Sequence, residues 1–139
     1  MNMRTIVLIV VCLIAFSCKQ EKANVEEPSK MEEVMAIHDE VMPKMTTISK
    51  LVGELKPIAD TAQAGSPYEI AMKDLQAAHK SMMDWMKGFG DRFDSEEILK
   101  GKALPEEKQR WLEEEEIKVK VMRDQVNSSI ENAEKLLNK

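Results

Sequence analysis

The sequence predicts an all-α protein, an antiparallel three-helix bundle with room for a short fourth helix, and three observations carry that prediction. Apolar residues return at alternating steps of three and four over long stretches, which keeps them on one side of a helix. Helix-start signals stand at the head of each stretch. No segment alternates with period two over the length of a strand, so β-structure is not expected.

The first helix is expected over about residues 30–59. Ser29 with Glu32 three residues on forms a capping box, and the seam runs Met31, Val34, His38, Val41, Met45, Ile48, Val52, Leu55, Ala59. Pro43 and Pro57 both fall opposite the seam, where water can satisfy the freed carbonyls of Asp39 and Gly53. Pro43 therefore reads as a kink within one helix, and Pro57 as a second kink or the beginning of its end. Asp60 to Gly65 is the first connection.

The second helix, about 67–89, opens with Ser66 as cap, Pro67 at the first helical position and Glu69 completing a capping box. Its seam reads Tyr68, Met72, Leu75, His79, Met82, Met86, Phe89, Phe93. The second connection runs from Gly88 to Leu104, with Gly88 and Gly90 permitting a sharp bend. Within it a short turn of helix is expected at 95–100, capped by Asp94 and stopped by Gly101. Pro105 with Glu106 and Glu107 opens the last helix, about 105–137. Its seam is Leu112, Glu115, Val119, Met122, Val126, Ser129, Ala133, Leu136, broadened by Trp111, Val121, Ile130 and Leu137. Seams of this kind favour shallow crossing angles.

Ahead of the bundle (29–139) stand two further segments. Arg4 precedes a dozen nearly unbroken apolar residues from Thr5 to Phe16, and Ser17-Cys18 ends them. Roughly twelve apolar residues are too few for a bilayer span, which takes about twenty, so residues 1–17 read as a signal peptide. Ala15-Phe16-Ser17-Cys18 resembles a relaxed lipobox of the Bacteroidota type, which implies lipidation of Cys18. Lys19-Gln20-Glu21-Lys22 is similar to the charged stretch that directs such lipoproteins to the cell surface. The plainer alternative is an ordinary secretory signal cut near Ser17 that leaves Cys18 free. Residues 18–28 then form the lipidated cysteine and a charged tether, too poor in apolar residues to order itself.

Cleavage before Cys18 leaves roughly 120 residues, enough for one domain with a modest core. The only other cysteine, Cys12, is lost with the signal, so no disulfide is available. The net charge of −5 and the lack of a Lys/Arg-rich run argue against nucleic acid as a partner.

Both histidines occupy seam positions among methionines: His38 with Met42 and Met45, His79 with Met82 and Met86. Imidazole and thioether together can bind Cu(I), or hold haem iron from two sides. The plainer reading is that polar seam residues set helix register and that Met fills gaps in a core with 4% aromatic residues. Counted from the first turn, the histidines differ in height by roughly 13 Å, so one ion cannot bridge them. The levels place His38 near Met86 and His79 near Met45. No cofactor is the first expectation; copper is the alternative, ahead of haem, for which no attachment motif exists.

No phosphate loop, nucleophile elbow, zinc-protease helix or di-iron motif is present, and no enzymatic activity is expected. Glu113 to Glu116 reads as a solvated face supported by Glu114–Lys118 and Glu116–Lys120 pairs. Asp60-Thr61-Ala62 resembles the acceptor of Bacteroidota O-glycosylation, which implies a sugar on Thr61. Trp85, Phe89, Phe93 and Trp111 gather near the second connection, either as a small core closing the bundle or as a docking surface.

With Cys18, the His38-to-Met45 segment and the His79-to-Met86 segment in hand, the chain resembles a group of small flavobacterial lipoproteins. These are sometimes labelled "viral A-type inclusion protein", a label that follows from heptad-rich helical sequence. The resemblance implies an anchored helical chain and brings no site residues with it. The expected role is structural or interactive at the cell envelope, as an outer-membrane lipoprotein facing the periplasm or the cell surface. Its partners are then the membrane, through the anchor, and an unidentified envelope protein.

Overall fold

The computed structural model describes residues 28–138; the expected signal peptide (1–17), Cys18 and residues 19–27 of the expected tether lie outside the described residues. Five helices follow in order: α1 Lys30–Val41, α2 Lys44–Thr61, α3 Pro67–Arg92, α4 Ser95–Leu99 and α5 Glu106–Leu136. Among the described residues there is no strand.

Side-chain caps satisfy orphan backbone donors at the starts of α1, α3 and α4, whereas α2 and α5 follow Pro43 and Pro105 with no such cap. At α1 the Ser29 hydroxyl accepts from the Glu32 amide, and Glu32 accepts from the Ser29 amide at 2.7 Å. Asp94 and Glu97 make the same reciprocal arrangement at α4. At α3 only half of the expected box forms. The Ser66 amide donates to the Gln63 carbonyl, so Glu69 reaches one residue further back to the Gly65 amide at 2.7 Å. Gly65 has φ +79°, the left-handed conformation that lets its amide turn toward α3.

Pro43 interrupts the first helix. Met42 and Pro43 keep right-handed helical dihedrals, but the hydrogen-bond ladder breaks there, so the expected single helix over 30–59 is divided into α1 and α2. Its ring supplies no amide and crowds the carbonyl of Asp39. The backbone closes the break with the tighter bonds Met45 to Met42 (3.1 Å) and Thr46 to Pro43 (3.3 Å). Pro57, by contrast, is absorbed, and α2 runs on to Thr61. Gly88 and Gly90 make no sharp bend either, because α3 continues through them to Arg92.

The break lets one long rod serve two neighbours. α1 packs mainly on α5, whereas α2 packs mainly on α3, and α3 lies along α5. Lys30 reaches Glu116 at 2.6 Å and Lys44 reaches Asn127 at 2.7 Å, so α1 and α2 run parallel to α5. Arg92 meets Glu114 at 2.7 Å, and Asp74, earlier on α3, shares a hollow with Ser128 and Asn132, later on α5, so α3 runs antiparallel to α5. The bundle is thus up, down, up.

On α5 the expected seam is buried from Leu112 to Ala133, with Leu136 partly buried; Val121, expected to broaden it, is exposed. On α3 the buried stripe is Ala71, Leu75, Ala78, Met82, Trp85, Phe89. Alternate positions are therefore displaced by one residue, and Met72, His79 and Met86 stand on the flank. The reason is that α3 touches both α2 and α5: alanines at 71 and 78 let two helices approach closely, and Trp85 fills the wider space near α1.

Candidate functional site

His38 sits at the expected height on another face than expected. The His38 ring stacks on Trp85, with centroids 5.8 Å apart, and its Nδ1 lies 2.9 Å from the Asp39 carboxylate. Trp85 is the residue before Met86, so the level was legible and the face was off by one position, about 100° around α3. Met86 itself is 39% exposed. His79 lines an open hollow of about 380 Å³ between α2 and α3, with Ile48, Ser49, Val52 and Gln76. Met45 and Met82 are buried in the core, while Met42 points to solvent. The six expected donors are thus divided between core and surface. Among the described residues, no group of three or more His, Cys, Asp or Glu is placed to hold a metal ion.

His38 instead heads a ladder of rings inside the bundle. Trp85 to Phe89 and Phe89 to Phe93 are each 4.8 Å between centroids, tilted by 27° and 40°. Spacings of this kind are attractive beyond the area they bury. Trp85, Phe89 and Phe93 are buried, so the aromatic group forms the small core that closes this end of the bundle. Trp111 stays partly outside it, with the Arg92 guanidinium 5.5 Å over its ring. Lys108 lies over Phe93 and bonds the buried Glu97 at 2.6 Å, locking α4 onto α5.

The acidic run divides in the same way. Glu115 is 2% exposed and is held by Lys118 at 2.8 Å and Arg92 at 3.1 Å. Lys118 is thereby diverted from its expected partner, and Glu114 pairs with Arg92. The Glu116–Lys120 pair does form, at 2.5 Å, and Lys30 joins it. These two ammonium groups pull the Glu116 carboxyl down to about 2. A carboxyl lowered on folding adds stability above its unfolded value of 4.5 that is lost as pH falls toward about 2. Thermal melting across that window is expected to show a steeper acid loss for the parent chain than for Glu116→Gln.

Thr61 is the last residue of α2, exposed beside the first connection, and its hydroxyl donates to the carbonyls of Pro57 and Ile58. No family model matches the chain, and neither a curated protein nor a solved structure does.

Proposed function

We propose that this chain is a lipid-anchored protein of the cell envelope with a structural or interaction role, an outer-membrane lipoprotein facing the periplasm or the surface. The observation that carries the reading is the apolar segment from Thr5 to Phe16 closed by Ser17-Cys18. Among the described residues no helix is long and apolar enough to cross a membrane, so on this reading Cys18 makes the attachment. A diacylglyceryl thioether with an amide-linked chain gives three acyl chains, and at about 0.8 kcal/mol per buried methylene the hold is effectively permanent. The bundle supports an interaction role because its helices present long faces of paired charges, and the buried Glu97, Glu115 and Ser129 are engaged in structure. The copper reading has less support, since Met45 and Met82 pack in the core and His38 is engaged by Trp85 and Asp39.

Cell fractionation of a Cys18→Ala variant tests the proposal. The parent is expected in the membrane fraction, resistant to high salt and released by detergent, and the variant in the soluble fraction. An unchanged membrane fraction in the variant would refute the anchor.

A further inference from the structure

The outward face of α5 carries an apolar pair that the fold within one chain does not bury. Ile117 and Val121, one turn apart, are 66% and 63% exposed in a helix whose other outward positions are mostly charged. Two β-branched apolar residues there lower helix propensity and solubility with no return inside the chain. Val121 also stands on the lip of a groove of about 440 Å³ between α3 and α5 whose wall includes Trp85 and Met122.

The charges around this pair follow a polarity along the helix. Glu113 and Glu114 precede Ile117, and Lys118 and Lys120 accompany and follow it. At 100° per residue, Glu113 and Lys120 fall on one flank of the outward face, and Glu114 and Lys118 on the other. In an antiparallel two-fold pair of helices, each flank meets the same flank of the other copy. A two-fold axis close to Ile117 therefore sets the exposed Glu113 against the exposed Lys120 of the second copy, twice over, with Lys120 also bonded to its own Glu116, while Glu114 and Lys118 stay with Arg92 and Glu115 of their own chain. A parallel pair would bring each acidic turn level with itself. The face is complementary to its own antiparallel copy and to no parallel one.

From this complementarity we infer that a second copy of the chain docks on the outward face of α5, antiparallel, with Ile117 against Ile117 at the two-fold axis. The contact is small beside the roughly 800 Å² per partner of a standard interface, so the dimer is weak and reversible. Confinement of both copies to one membrane would raise its occupancy. The pairing itself does not require the anchor, and loss of the anchor is read separately as loss of the membrane fraction.

The test is photo-crosslinking of the full chain in intact cells, with benzoylphenylalanine at position 117 and two differently tagged copies. The expected product carries both tags and has twice the chain mass. The same probe at Ile70, exposed at the far end of α3, is expected to give about tenfold less of it. Glu113→Lys and Lys120→Glu, both at exposed positions, are each expected to cut the product about tenfold when expressed alone and to restore it when co-expressed. Circular dichroism of each variant checks that the bundle is intact. Crosslinks from position 117 to other proteins only, or charge variants that pair as well as the parent, would overturn the inference.

Discussion

Replacing Trp85 by alanine is expected to lower the unfolding free energy by about 3–5 kcal/mol, a large share of the 5–15 kcal/mol that holds an ordinary domain. Trp85 is 7% exposed and is the middle contact between α1, through His38, and the Phe89–Phe93 end of α3. Its removal opens a cavity where α1 has few other contacts with α3, so α1 should lose amide-exchange protection before the rest of the bundle. Trp85→Phe separates packing from polarity. The Trp85 indole nitrogen is buried without a hydrogen bond, and a buried unbonded donor costs about 1–3 kcal/mol. Phenylalanine loses area but removes that cost, so its net effect should stay within about 1 kcal/mol. Chemical denaturation of the two variants checks both values, and a Phe variant as damaged as the Ala variant would contradict the packing account.

Leu75→Ala is the second large effect, at about 2–5 kcal/mol, because Leu75 is fully buried on α3 where that helix lies between α2 and α5. Leu75 and Trp85 are ten residues apart, roughly 15 Å along the helix, and should act independently. The double variant is expected to lose the sum of the two within about 0.5 kcal/mol. A clearly smaller sum would mean that the two ends of the bundle do not unfold as one unit.

These two residues also mark where the sequence was readable and where it was not. Leu75 belonged to the expected seam, and so did every buried position of α5, including Glu115 and Ser129. A helix that buries one stripe shows a single period, and that period is visible in the chain itself. α3 buries two flanks, and there the period misleads. Met72 and Met86 look like core because they are large and apolar, while Ala71 and Ala78 are core because they are small. Which of these wins depends on how close the neighbouring helices come, and no local pattern records that distance. Pro43 teaches the same lesson for the backbone. Its position opposite the seam makes water available to Asp39, but the clash with that carbonyl is local and steric, and it divides the helix regardless.

The candidate site was legible to the level of helical height. His38 was placed on the right turn because rise per residue and loop length are properties of the chain, but not on the right face, since Trp85 rather than Met86 turns toward α1. His79 shares its hollow with Ile48, Ser49 and Val52, about one turn beyond Met45. A donor set needs both coordinates, and here only one could be read. The engagement of Glu115 by Arg92 was equally hidden, because it joins residues on two helices whose relative rotation is set by the α3 stripe.

The central claim, a lipid anchor bearing a disulfide-free helical bundle, is tested most directly by intact-mass spectrometry of the protein purified from its native membrane. The predicted result is a chain beginning at Cys18 with the added mass of a diacylglycerol and one further acyl group on that residue. A sugar on Thr61 would appear in the same spectrum as a further increment. A chain beginning at or near Cys18 without acyl mass, or one retaining residues 1–17, would contradict the account.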